Sequence, residues 1–319
     1  MNNTKKLTEA SLLSSLFVVF TIASVASGIG YTLYLDFIVP IYFCLVCMKC
    51  DTKYTILSGV TSLLIIALIL GNLGTAIWAT QSVILGILCG ILLNKNTSIM
   101  DDLVYGSILG VIVMVFIDIY ASKLIGYSFM KEFQGYVKLL PFKEVANTIY
   151  YLLIATFPFG MVFTIYYIAL QIGKKLKIVK GNAKRKLKTI SRFKVYSRFI
   201  CCSNKVFYSC SLYILVFELL KYLNINIEFI YLRTIAICIE YLCMYFVFRD
   251  GFTTIQNYII SKYKKASIVR ISSIIILICL VYFFKVTLSI IVICNIILDK
   301  KINIRVKQSS ILNSLVNQI

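Results

Sequence analysis

Long apolar runs separated by short polar or basic segments set the pattern of this chain. They fall at residues 10 to 28, 34 to 49, 54 to 70, 76 to 93, 103 to 121, 146 to 172, 206 to 222, 230 to 248 and 272 to 298. A helix crosses a bilayer with about 20 mostly apolar residues and satisfies its own backbone hydrogen bonds, so each run predicts a span. The expected fold is all-α, a polytopic bundle of about nine spans within a range of eight to ten. Lys285 splits the last run into two short halves, which predicts a hairpin and returns the tail to the side on which the basic residues gather.

Composition strengthens this reading. Hydrophobic residues make up 60% of the chain, mean hydropathy is +0.89 and only 14% of residues are charged, against about 25% in soluble domains. The balance of 33 Lys and Arg to 13 Asp and Glu gives +20, and twelve of the cations sit in residues 173 to 205 with no acid among them. Basic residues collect in cytoplasmic loops beside anionic headgroups, so lipid is a better partner for this charge than nucleic acid. With the N-terminus inside, Lys49, Lys53, Lys95 and the 173 to 205 segment all face the cytoplasm. Lys5 and Lys6 before an apolar stretch imitate a secretory signal, but the stretch from Ala10 to Ala26 is long for a signal core and predicts a retained first span.

Three segments have an amphipathic helical pattern. Phe129, Met130, Phe133, Tyr136, Val137 and Leu140 share one face on the predicted outer side, and the segment is expected to lie across the outer mouth. In the basic loop, Leu187, Ile190, Phe193, Tyr196 and Ile200 form an apolar stripe flanked by cations, the pattern of a helix lying in the interface. The candidate lipid-facing cations are Lys184, Arg185, Lys186, Lys188, Arg192, Lys194 and Arg198. A weaker pattern runs from Phe252 through Ile255 and Ile259 to Lys262, Lys264 and Lys265.

Within lipid, helices associate where small residues admit close approach. Gly86 with Gly90 and Gly106 with Gly110 predict internal helix packing, whereas Ala10, Ser11, Ser14 and Ser15 form a patch at the end of the first span that a partner could reach. Glu240 lies deep in its span and Lys285 interrupts the last run; buried charge is costly, so the two are expected to pair. Cys44, Cys47 and Cys50 have thiolate-ligand spacing, but the first two fall inside a span and the chain has no histidine, so no metal and no cofactor is expected. Without histidine or paired carboxylates an enzyme is not expected either. The outer ends of the early spans carry Tyr31, Tyr34, Asp36, Asn72, Trp78, Gln81, Asp118, Tyr120 and Lys123. Two explanations compete for them, a mostly apolar solute pocket with a few oriented polar groups and an interfacial aromatic belt. The candidate solute-binding residues are Tyr34, Asp36, Asn72, Trp78, Gln81 and Asp118.

The opening L-T-E-A-S-L-L-S-S-L, the Y-L-D-F-I-V-P stretch, R-F-K-V-Y-S-R-F, R-D-G-F-T-T-I-Q-N-Y-I and the closing L-D-K-K-I-N-I-R resemble the YybS-like family of bacterial membrane proteins, domain of unknown function 2232. Cys294-Asn295 departs from that family's pattern before the terminal turn. The family is distantly similar to the S components of energy-coupling-factor transporters. That resemblance implies a six-helix module over residues 1 to 172, followed by a basic loop at 173 to 205 and additional helices with a basic tail at 206 to 319. It also implies solute binding from outside near Asp36, Trp78 and Asp118, and docking of the first-helix patch on a transmembrane coupling subunit. Two functions are therefore expected as alternatives: a small-solute binding or transport-associated subunit of the bacterial inner membrane, or a regulatory or scaffold protein whose basic loop binds anionic lipid or a cytosolic partner.

Overall fold

The computed structural model describes residues 3–28, 34–139, 141, 145–225 and 227–317, all helix or connecting turn and without a strand among them. Two compact units emerge, Met1–Thr97 with Tyr105–Leu187, and Ser98–Val104 with Lys188–Ile319. Among the described residues six helices are long and apolar enough to cross a membrane. Tyr31 and Leu140 lie outside the described residues.

The first unit contains α1 (Asn3–Ser27), a π-helical turn (Tyr34–Ile38) leading into α2 (Val39–Leu70), α3 (Leu73–Asn94), most of α4 (Ile99–Leu124), α5 (Phe129–Lys138), α6 (Ala146–Lys175) and α7 (Gly181–Ser191) as far as Leu187. At 1.5 Å per residue a straight α2 would run about 48 Å, far beyond a hydrocarbon core of about 30 Å. It breaks at Asp51, whose φ of 68° and ψ of 160° are not helical. The two halves then lie back to back: a Cβ on Gly59 would stand 3.5 Å from the Phe43 ring. The two predicted runs on either side of residue 51 are therefore separate legs of a hairpin.

Small residues set the helix contacts. A Cβ on Gly86 would meet the Pro40 carbonyl oxygen at 2.4 Å, and one on Gly90 would meet Cys47 Cβ at 2.5 Å, so α3 rests directly on the first half of α2. Gly106 and Gly110 do the same for α4 on α6, against Val162 at 2.6 Å and Pro158 at 2.9 Å. Both glycine pairs serve internal packing, as expected, and Cys47 is held by that packing. Around them Phe17, Tyr34, Leu35, Phe43 and Val83 form a buried cluster, with the Phe17 and Phe43 rings edge to face at 4.9 Å.

The patch on α1 divides by face. Ala10 and Ser14 turn inward: Ser14 Oγ lies 2.5 Å from Ser62 Oγ, and Ser58 Oγ donates to the Ala10 carbonyl at 3.3 Å. Their expected exposure to a partner is thus corrected, because the short polar side chains satisfy one another between helices. Ser11 and Ser15 face outward and bond only to the backbone of their own helix.

The second unit holds α8 (Phe193–Tyr196), α9 (Asn204–Tyr222), α10 (Ile230–Tyr263), α11 (Ala266–Tyr282), α12 (Phe284–Ile302) and α13 (Ile304–Asn317). The last apolar run is two helices joined at Phe283, as the position of Lys285 predicts. Two expectations are corrected. The 252 to 265 pattern is the continuation of α10, with Thr254 buried, rather than a separate surface helix. The loop stripe is not one helix: Arg192 leaves helical geometry between α7 and α8, and Tyr196 and Ile200 are buried while Phe193 is exposed.

Gly86 offers a direct test of the packing. Gly86→Leu forces side-chain atoms into the backbone of α2 and is expected to cost about 3 kcal/mol or more, seen as a lower unfolding temperature in detergent. Gly160→Ala, in open space on α6, is expected not to destabilise and to gain up to about 1 kcal/mol from helix propensity.

Candidate functional site

A cavity of about 410 Å³ opens at one end of the first unit, within the usual range for small-molecule sites of about 300–1,000 Å³. The π-helical turn supplies Leu35 and Asp36. The first turns of α3 supply Gly74, Thr75, Trp78 and Gln81, whose spacing puts them on one helix face. Asn72 caps that helix, its Oδ1 accepting from the N–H groups of Gly74 at 2.9 Å and Thr75 at 3.4 Å. Ile125, Tyr127 and Phe129 close the remaining wall.

Of the six candidate solute-binding residues, Asp36, Asn72, Trp78 and Gln81 line the cavity. Asp36 is the one charged side chain among the described lining residues. Gln81 is 3% exposed, and its Oε1 is buried without a hydrogen-bond partner among the described residues. A buried acceptor left unmet is costly, about 1–3 kcal/mol, and calls for a donor from beyond the described residues, such as a ligand or a water.

Tyr34 and Asp118 have other duties. Tyr34 is buried with its hydroxyl 2.9 Å from Thr21 Oγ1. Asp118, fully buried, accepts from Phe129 N at 2.6 Å and Ser128 Oγ at 2.8 Å. A carboxylate suits the start of α5, where unpaired N–H groups and the helix dipole favour negative charge. Asp118 thereby fixes Phe129 and, next to it, Tyr127. Their rings stand edge-on to Trp78 at 4.2 and 5.5 Å, and Phe129 also meets Phe157 at 6.4 Å. Ile125 and Tyr127 were not legible as lining, having no periodic signal of their own; Phe129 opens the amphipathic stripe expected across the outer mouth, and it lines the cavity.

Glu132 ties the wall together by accepting from the hydroxyls of Tyr127 and Tyr136. Those bonds favour the charged form and hold its carboxyl below the ordinary value of 4.5. Burial, followed by the Glu132 contact, pushes the Tyr127 hydroxyl up.

The basic segment separates into unlike members. Lys184, Arg192, Lys194 and Arg198 are exposed, and Arg185 and Lys188 are half-buried, with Lys188 Nζ reaching the Val316 carbonyl at 3.4 Å. Lys186 is only 2% exposed. Its ammonium donates to the carbonyls of Leu92 at 2.6 Å and Lys95 at 2.8 Å and to Thr97 Oγ1 at 3.3 Å. It caps the C-terminal end of α3, where a cation meets unpaired carbonyls, so its lipid-facing assignment is corrected.

In the second unit the expected Glu240–Lys285 pair is replaced by a relay. Glu240 is bound at 2.7 Å by Lys221, one turn from Glu218 on α9, and Lys285 pairs with Glu218 at 2.8 Å. Sequence gives the charges but not the helix rotation that decides their partners. A second network was not anticipated. Arg305 is buried between Asp250, at 3.1 Å, and Asp299, donates to Asn295 Oδ1 at 3.0 Å and stacks 3.8 Å from the Phe207 ring. Asp250 also accepts from Cys202 N at 2.7 Å, so the exit of the basic loop and the start of the C-terminal tail share one end of this unit. Burial pushes the thiols of Cys201, to about 12, and Cys202 up, which keeps both protonated and poorly nucleophilic.

Long apolar helices, close small-residue contacts and internally satisfied charges define a multi-pass α-helical membrane protein. Within that class, residues 15–150, less than half of the chain, match the family Predicted membrane protein (DUF2232). The matched residues include the whole described wall of the cavity. No curated protein and no solved structure matches the chain.

Two outcomes test this geometry. Asp118→Ala is expected to remove about 1–2 kcal/mol of local stability, read as faster hydrogen exchange over residues 128 to 138. The Glu132 contacts contribute fully above the ordinary carboxyl value and are lost as pH falls through the lower value of the folded protein. Fluorescence of Trp78, the single tryptophan, should change on acidification from about pH 6 to about pH 3, and part of that change should vanish in Glu132→Gln.

Proposed function

We propose that the first unit binds a small solute carrying a positive charge on a flat, mostly apolar body. The observation that carries this is the meeting, in one cavity, of a single carboxylate, Asp36, an unmet acceptor, Gln81 Oε1, and the rings of Trp78, Tyr127 and Phe129. Carboxylates and the faces of aromatic rings both attract cations, the ring faces by about 0.5–2 kcal/mol. The protein works as a solute-binding or transport-associated subunit, not as an enzyme. It sits in the bacterial cytoplasmic membrane with its N-terminus inside, the side that the positive-inside rule assigns to the 173 to 205 segment. The cavity then opens outward. Any transmembrane coupling partner meets α1 through Ser11 and Ser15, since Ala10 and Ser14 are occupied within the unit.

Exposure of Lys184, Arg192, Lys194 and Arg198 supports the second reading, a regulatory or scaffold protein held by anionic lipid or a cytosolic partner. If charge reversal of Lys184, Arg192 and Lys194 abolishes function in cells while cavity substitutions are silent, that reading replaces the first.

Titration of Trp78 fluorescence with aromatic amines and with matched neutral and anionic compounds tests the solute reading. Amines are expected to bind preferentially, and Asp36→Asn to weaken them about 10- to 100-fold, the worth of a charge-assisted hydrogen bond. Equal binding of anionic analogues, or an unaltered affinity in Asp36→Asn, would count against it.

A further inference from the structure

The second unit contains a cavity that the solute reading leaves unused. It encloses about 380 Å³ between the residues after α8, the last turns of α10 and the first turns of α11. Its wall is divided by chemistry. Arg198 and Arg270 stand on it with Gln256 and Asn257, and Ile260 and Ile274 make its apolar side. The neutral polar groups are already engaged: Asn257 Nδ2 donates to the Arg198 carbonyl at 2.5 Å, and Gln256 Nε2 to Ser273 Oγ at 2.7 Å. Neither guanidinium has an acidic partner among the described residues, although Arg249 and Arg305 of the same unit are each tied down by carbonyls or carboxylates.

Two such guanidiniums on one cavity form a receptor for phosphate, because the planar fork presents paired N–H donors at the spacing of two phosphate oxygens. The apolar side indicates where that phosphate comes from. Ile271, Ile274 and Ile278 lie on one face of α11 at spacings of three and four residues and are 59%, 56% and 52% exposed. That stripe leads away from the cavity along the helix as an acyl chain would. A soluble phosphate compound has no use for it.

We infer that this cavity binds the headgroup phosphate of an anionic phospholipid, with Arg198 and Arg270 as its ligands and an acyl chain along the isoleucine face of α11. Under the orientation proposed above the site lies in the inner leaflet, where basic pockets between helices meet anionic headgroups. The binding itself does not depend on that orientation or on the solute cavity.

Native mass spectrometry of the full-length chain in detergent tests it, with phosphatidylglycerol and phosphatidylcholine added in equal amounts. Wild type is expected to retain phosphatidylglycerol with about tenfold preference. R198Q/R270Q should reduce this to parity, and Lys301→Gln, exposed on the same unit but off the cavity, should leave it unchanged. Arg270→Lys keeps the charge but not the fork, and should lose about threefold, which serves if the double variant does not fold. Parity in wild type, or full preference in a folded double variant, overturns the proposal. So does displacement of the lipid by millimolar glycerol phosphate, which would mark the ligand as soluble.

Discussion

Everything at the candidate site depends on the contact between α2 and α3. Gly86 and Gly90 let the backbone of α3 rest on Pro40, Cys44 and Cys47 with no side chain between. Residue numbers rise together on the two helices, so the contact fixes them in parallel register. One turn back from Pro40 and Gly86 lie Asp36 and Gln81, which are thus carried to the same cavity wall. Between helices in lipid there is little hydrophobic gain, and such register is held by close packing and hydrogen bonds. The serine contacts of α1 with the second leg of α2 extend the same principle.

Charge in this chain is handled by position. Deep groups are neutralised locally: Arg305 by Asp250 and Asp299, Lys186 by the carbonyls at the end of α3, Asp118 by the N–H groups at the start of α5. A buried ion stripped of a partner costs several kcal/mol, so these contacts hold helix ends and the C-terminal tail in defined places. Against that background Asp36, Arg198 and Arg270 are distinctive. Each is charged, lines a cavity, and makes no ion pair among the described residues. An acid beside aromatic rings and two guanidiniums beside an isoleucine face favour ligands of opposite charge, and the two cavities proposed for them fall in separate units.

Much of the cavity wall was legible in the primary structure because its residues are polar or aromatic at the ends of apolar runs. Asp36, Asn72, Trp78 and Gln81 stood out for that reason. Tyr127 did not, since a loop aromatic has no period to betray its burial, and Phe129 was visible only as the first member of the amphipathic stripe on the outer side. Asp118 and Lys186 were visible as charges but carried the wrong roles: a capping carboxylate and a ligand carboxylate look identical until the helix end beside them is known. The same holds for Glu240, whose partner is Lys221 rather than Lys285.

The linear order of residues by itself determined the membrane class, the approximate limits of most apolar helices, the break near Lys285 and the glycine contacts; it did not determine the number of spans, expected as about nine where six described helices are long and apolar enough to cross. These follow from local quantities, the transfer cost of each segment and the absence of a side chain at a given position. Tertiary structure alone decided which half of the α1 serine patch is buried, how the charges pair, and that the 125 to 129 segment folds over Trp78. Each of these turns on helix rotation and on which helix ends meet, and a rotation of one residue, about 100°, carries a side chain from lipid to interior without altering the hydropathy of its helix.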